Sequence, residues 1–347
     1  MIETVVAYQL AVGETLRIQK KRLMPGAGNP NIGRISIVSG IHGDELEGQY
    51  VCYEIIRRIQ DHPENLNGIV DVYPALNPLG VDSGSRVIPK LNMDMNRMFP
   101  GEATGTMMDK LAARIIEDIK GSDICVDVHA SDTFVKEMPQ VRISEEHGKD
   151  LVDFSRLLNA DLIWINASAT AHEATLTNSL NTIGVPALLV EMGLGNRVTR
   201  SFGDQITEGI FNLMHEIGIW SGPVGEIRNA KLTRDYGIDF FRAQSTGIFL
   251  PDMENGQQVS AGDMIGKIVS TLSGDVLEIV QAKRSGILFT LREYPLVYEG
   301  ALIARVLAEE RNGWSRRSYI PWKHLIGRNY RCGAIILEKR KKKQPVF

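Results

Sequence analysis

From the N-terminus to about residue 221, strand-like apolar runs alternate with amphipathic helical patterns, and that alternation admits few architectures. Thr4–Ala11 and Glu14–Leu23 read as a hairpin, and Arg34–Ser39 is a short β-branched run that ends at Gly40. Cys52, Ile55, Ile56 and Ile59 then recur with helical spacing until Asp61-His62-Pro63 stops them. Ile69–Tyr73 is the next strand, and Met108, Leu111, Ala112, Ile115 and Ile119 mark a second amphipathic helix. Strands at Ile124–His129, Asp161–Ile165 and Val185–Glu191 follow, with a short helix near Leu151–Leu158 and a helix through Ile206, Ile210, Leu213 and Ile217. The expectation is a three-layer α/β domain over residues 1–221, with ligands gathering at the carboxyl ends of its strands.

The pattern changes after Trp220-Ser221-Gly222-Pro223. Short apolar runs separated by Gly256, Gly262, Gly266, Gly274, Gly286 and Gly300 predict a small all-β domain over residues 222–312. Its glycine spacing resembles the barrel-sandwich domains of biotinyl and lipoyl carriers. A carrier needs a modifiable lysine between Met-like neighbours, however, and Lys283 in Glu278–Lys283 has none, so a structural cap over the first domain is expected. Residues 313–347 read as an extension whose basic run, Lys339–Lys343, is a solvated tail.

Composition removes several classes of function. The 39 Lys+Arg and 42 Asp+Glu leave a net charge of −3, without the concentrated basic face that nucleic-acid binding through counterion release requires. Cys52, Cys125 and Cys332 are an odd number with no CxxC pair, which argues against a disulfide scaffold or a Cys-rich zinc finger. Glu3 and Glu14 fall where a signal peptide needs an apolar core, and no run reaches 18 apolar residues; the expectation is a cytoplasmic protein with no membrane partner.

Four segments carry candidate chemistry. In Ser39-Gly40-Ile41-His42-Gly43-Asp44-Glu45, His42 and Glu45 lie three apart at a strand-to-helix junction, so both can address one spot. A His/Glu pair of this spacing supplies two ligands of a catalytic zinc site, which then needs one more His and an open position for water; a turn histidine beside a first-turn helix acid is the plainer reading. Asp127-Val128-His129 closes an apolar strand, where an acid and a His are costly unless satisfied. His129 can be the third ligand; Asp127 is expected to face the opposite side of the strand by alternation, but can turn at the strand end to orient it. Asp94-Met95-Asn96-Arg97-Met98-Phe99-Pro100-Gly101 closes a long irregular segment that begins at Asn77-Pro78-Leu79-Gly80 and contains Arg86. Asn96 and Arg97 set an amide beside a guanidinium, suited to gripping a carboxylate, whereas Met93, Met95 and Met98 are expected to pack beneath the loop. Glu191, in Val190-Glu191-Met192-Gly193, ends a buried strand, where burial raises a carboxyl pKa and a nearby cation lowers it.

Taken together and in this order, HGDE, NPLG, DMNRMFPG, DVHAS and VEMG resemble the succinylglutamate desuccinylase/aspartoacylase branch of the M14-type zinc carboxypeptidase superfamily. The resemblance spans about residues 30–220, and the β-domain fits that branch. It implies a three-layer α/β/α zinc-carboxypeptidase-like domain with a mixed sheet, followed by a small barrel-sandwich-like β-domain. It also implies one Zn2+ per chain on His42, Glu45 and His129, with Glu191 as the catalytic glutamate. Asn96 and Arg97 match the pair that grips a substrate carboxylate, and Arg86 matches the arginine that polarises the scissile carbonyl. Val87–Met93 makes the gap between Arg86 and Asn96 longer than the family's core pattern. Of the remaining histidines, only His172, in the Ser168–Thr177 loop, is a candidate for lining the cleft.

The function so implied is zinc-dependent hydrolysis of the amide bond of a small N-acyl amino acid. The alternatives are a zinc carboxypeptidase acting on short peptides and an inert metal-binding or carrier-like module. No motif encodes the acyl group or the side-chain preference, and a homo-oligomer is left open.

Overall fold

The structure, a computed structural model, describes residues 1–26, 33–167 and 174–309. His172, Cys332 and the 313–347 extension with its basic run lie outside the described residues. Strands β1 (Ile2–Gln9) and β2 (Thr15–Leu23) form the N-terminal hairpin, followed by β3 (Arg34–Ser39), β4 (Ile69–Tyr73), β5 (Ile124–Ala130), β6 (Val135–Ser144), β7 (Leu162–Asn166) and β8 (Ala187–Gly193). Interleaved with them are helices α1 (Glu47–Asp61), α2 (Pro78–Ser83), α3 (Met107–Ile119), α4 (Gly148–Leu157), α5 (Leu176–Thr182) and α6 (Arg200–Glu216). The rest is strand: β9 (Lys231–Arg234), β10 (Ile238–Arg242), β11 (Gly247–Pro251), β12 (Gln258–Val259), β13 (Met264–Val269), β14 (Val276–Gln281), β15 (Gly286–Arg292), β16 (Leu296–Val297) and β17 (Leu302–Ala308).

The main sheet is mixed and runs β1-β2-β4-β3-β5-β8-β6-β15-β17-β10, with β7 and β12 branching from β6 and β15. Its centre, β4-β3-β5-β8, is parallel, while β6 joins β8 antiparallel. Strand alternation sorts the centre into two faces. Val126, Val128, Leu188, Val190 and Met192 pack in one cluster with Cys52, Ile55 and Ile59 of α1 and Ile206 and Ile210 of α6. Cys125 and Ala187 face the other way, into a cluster with Leu111 and Ile115 of α3 and Leu180 of α5. Helices on both faces of a mixed sheet make the expected three layers. Helix α3 opens with a capping box between Thr106 and Asp109, which sets where it begins.

Three elements depart from the sequence expectation. Helices α2 and α5 occupy stretches that read as loop, and both are too short to show a helical period. Strand β6 carries Lys136, Glu137, Pro139, Gln140 and Arg142, which hide a strand from hydrophobic pattern alone. Pro139 falls where the β6–β8 register shifts, between Glu137 and Gln140, a place where a strand tolerates proline.

The β-domain provides a separate four-stranded antiparallel sheet, β14-β13-β11-β16, with its own core around Phe249, Ile265 and Ile268. It also extends the main sheet, because β15 pairs antiparallel with β6 through Thr290 opposite Glu137. That pairing brings β15 and β17 to the carboxyl ends of β5 and β8. No helix among the described residues is long and apolar enough to cross a membrane.

Candidate active site

His42, Asp44 and Glu45 sit on the turn between β3 and α1. Gly40 enters this turn at φ +63°, a left-handed conformation that glycine adopts without strain. Gly43 lies so close to the backbone of Gly80 that a Cβ there would fall 1.9 Å from its carbonyl carbon. The Asn77-Pro78-Leu79-Gly80 segment therefore packs directly on the histidine turn: Asn77 caps α2 by accepting from Gly80 N at 2.9 Å, and Gly43 N donates to Ser85 O at 3.0 Å. Arg86 follows immediately and reaches Glu45 Oε1 at 3.0 Å.

Residues Val87–Met93, the lengthened gap, fold off as a small excursion in which Ile88 N donates to Met93 O at 3.0 Å. The detour returns Asp94 beside Arg86, with Nη2 and Oδ2 3.7 Å apart. Asp94 Oδ1 accepts from Asn96 N at 2.8 Å and lies 3.1 Å from His42 Nε2. Asp94 thus fixes both the Asn96-Arg97 turn and the His42 ring, a second role that sequence reasoning missed. Asn96 Oδ1 accepts from Leu176 N at 2.9 Å, which ties the turn to the start of α5. Arg97 donates to Asn96 O at 2.9 Å, and among the described residues no carboxylate pairs with its guanidinium.

Contrary to the expectation that Asp127 faces the opposite side, it lies two residues from His129 on β5, a spacing that shares a face, and its Oδ2 is 3.1 Å from His129 Nε2 without any turn of the strand end. Glu45 binds the two histidines together: its Oε1 is 2.7 Å from His42 Nδ1 and its Oε2 is 2.7 Å from His129 Nδ1. Ala130 N donates to the same Oε2 at 3.2 Å. Each imidazole directs Nε2 at an aspartate, so in a neutral ring Nδ1 is the bare lone pair. That lone pair faces a carboxylate oxygen in both contacts, so the arrangement demands positive charge between them. A proton on each ring supplies it in one form of the protein. Burial opposes protonation of both rings, yet Asp94 and Glu45 raise the pKa of His42, and Asp127 and Glu45 raise that of His129 well above the ordinary value. Burial likewise opposes ionisation of Glu45, but the charges and hydrogen bonds of His129 and His42 together outweigh it and hold the carboxyl low.

A divalent ion answers the same demand. One ligand atom from each of His42, Glu45 and His129 lies within 4.8 Å of the others, and all three side chains are buried. Two nitrogens and a carboxylate, each ring supported from behind by an acid, form a donor set that could bind one metal.

Glu191 lies on β8 opposite His129 in the parallel β5–β8 register. Burial pushes its pKa up to about 7, against the nearby Arg142 cation, which lowers it. His42, Glu45, Arg86, Arg97, His129 and Glu191 line one cavity of about 220 Å³, whose far wall includes Glu137 and Arg142 from β6 and Leu302 and Arg305 from β17. Sequence reasoning missed those wall residues. An acid and a base five apart in β6 were the available signal, but nothing local says that they face inward.

The family model for the succinylglutamate desuccinylase/aspartoacylase catalytic domain matches residues 31–217. The N-alpha-acetyl-L-2,4-diaminobutyric acid deacetylase of Halomonas elongata is 24% identical over 283 residues, covering 79% of this chain and 81% of that protein. The product-bound structure of the ectoine utilization protein EutE (DoeB) from Ruegeria pomeroyi superposes with a TM-score of 0.74 at 19% identity, over 88% of this chain and 93% of that one. A succinylglutamate desuccinylase/aspartoacylase from Rhodobacter sphaeroides superposes with the same TM-score at 24% identity, over 88% and 94%.

Proposed function

This chain belongs to the succinylglutamate desuccinylase/aspartoacylase family, and from that membership we propose a zinc-dependent hydrolase that cleaves the amide bond of a small N-acyl amino acid. The observation that carries the reading is Glu45 held between two Nδ1 atoms, each 2.7 Å away, on the wall that also holds Glu191. His42, Glu45 and His129 are the zinc ligands, and Asp94 and Asp127 hold the rings in the tautomer that leaves Nδ1 free to bind. A zinc ion held by these residues would supply a water of pKa about 7 and a Lewis acid for the acyl carbonyl. The relative from Halomonas elongata is named as a deacetylase of an N-acetylated amino acid, which supports this class of substrate.

This chain's own residues do the rest. With a pKa of about 7, Glu191 accepts the proton of the attacking water and returns one to the leaving amine. Arg86 donates to the carbonyl oxygen as negative charge develops there; one such donor is worth about 100- to 1,000-fold in rate. Asn96 and Arg97 hold the substrate's carboxylate and so turn encounter into orientation. Leu302 and Arg305 close the far wall, and the cavity of about 220 Å³ is smaller than the roughly 300–1,000 Å³ typical of drug-sized sites, which favours small amides over peptides.

Metal analysis of the purified protein, followed by an amine-release screen over N-acyl amino acids and tripeptides, tests the reading. The expected result is one zinc per chain and release from N-acyl amino acids. Turnover of tripeptides alone would favour a carboxypeptidase, and neither zinc nor turnover would sink both readings.

A further inference from the structure

A line of four charged side chains runs from the β-domain into the cleft. Glu137 on β6 is its centre, with a side chain only 1% exposed. Its Oε1 accepts from Thr290 Oγ1 of β15 at 3.0 Å and pairs with Arg305 of β17. Its Oε2 accepts from Arg142 Nη2 at 2.7 Å, and Nη1 of the same guanidinium reaches Glu191 Oε1 at 3.4 Å.

Glu137 and Arg142 lie five apart in one strand, an odd spacing that puts side chains on opposite faces of a regular strand. The register shift between Glu137 and Gln140 brings them to the same side. Both guanidinium groups are also held by one ring: Arg142 lies 5.3 Å and Arg305 5.6 Å from the centre of Trp164, whose Nε1 donates to Asp235 at 2.8 Å. A buried carboxylate needs one good cation, and here it has two. The second hand of Arg142 is therefore available to Glu191, and the fork geometry of arginine lets it hold both carboxylates at once.

We propose that Arg142, itself held by Glu137 and Arg305, is a positioning residue that fixes the Glu191 carboxylate in the cleft, which makes the β-domain a working part of the site. The proposal rests on the deacylase reading for what Glu191 does, but the placement of Glu191 is observable without it. It assigns work to residues on both sides of the β6–β15 pairing. It also gives a role to the register shift in the strand beside Glu191.

The test uses the full chain with zinc bound. Arg142→Met should lower kcat by about 10- to 100-fold, the scale of a displaced catalytic group, with KM within about twofold and zinc content unchanged. Arg142→Lys should recover part of that loss, and Arg305→Gln should lower kcat by a smaller factor in the same direction. An Arg142→Met protein with unchanged kcat, or one that changes only KM, overturns the proposal; if that variant fails to fold, Arg305→Gln decides by the same split. A crystal structure of whichever variant folds supplies the second readout: Glu191 displaced from its wild-type position supports the proposal, and Glu191 unmoved overturns it. Absence of wild-type turnover on every N-acyl amino acid would remove the deacylase reading and leave this crystallographic readout to decide the positioning.

Discussion

His129 and Glu191 stand opposite each other in the register of two adjacent parallel strands, β5 and β8, on the face that α1 and α6 leave uncovered. One belongs to the candidate metal set and the other is the proposed base, so backbone hydrogen bonding fixes their separation. A side-chain substitution at either position can then remove its chemistry without moving the other.

Glu191→Gln should accordingly keep stoichiometric zinc and lose about 100- to 10,000-fold in kcat, the range associated with a general acid–base group. Metal content by elemental analysis and amine release by a coupled assay check the two halves. Wild-type-like turnover would remove Glu191 from the mechanism.

The pH profile follows from the same residue. The proposed base works ionised, so kcat/KM should rise about tenfold per pH unit below about 7 and level off above it. Stability moves the other way. The folded-state pKa of about 7 lies above the ordinary 4.5, so between those values the unfolded chain has released a proton that the folded protein keeps. Raising the pH through this window costs stability, and the cost is complete above 7, on the order of 3 kcal/mol. Glu191→Gln abolishes it, so the variant's melting temperature should gain on that of the wild type between pH 5 and pH 8. A difference that stays constant across that range would refute the assignment.

Asp127 lies behind His129, with its side chain 1% exposed and its Oδ2 3.1 Å from Nε2. Asp127→Asn keeps the volume but removes the charge that orients the ring. Metal affinity should fall by about 10- to 100-fold, measured by competition with a chromogenic chelator. Unchanged affinity would mean that the acid does no more than fill space.

Gly43→Ala tests the contact between the histidine turn and α2. The added methyl would meet rigid backbone at Gly80, so one segment must move. A loss of about 1–3 kcal/mol in stability is expected, together with weaker metal binding, because Arg86 and His42 are set by that contact. Urea denaturation and the same chelator competition would read both effects.

Local sequence carried most of the fold where period and punctuation agree. Cys52, Ile55 and Ile59 mark α1, Arg34–Ser39 marks β3, and Ile124–His129 marks β5 to within a residue of the observed element. The candidate metal set and the proposed base also stood out as candidates, because a polar residue at or just beyond the end of an apolar strand is conspicuous. Strand β6 was not legible. Glu137 and Arg142 make it look like a solvated segment, since charge in a sequence reads as exposure unless its partner is known.

The chain by itself determined which residue types stand at strand ends. Only the folded molecule decided that Asp94 would return to His42 after its excursion, and that Thr290 and Arg305 would reach across to Glu137. The physical reason is range. Periodicity and capping act over a few neighbouring residues, whereas a buried ion network is formed by groups that meet only after distant strands have paired, and its energy depends on partners that no local pattern names.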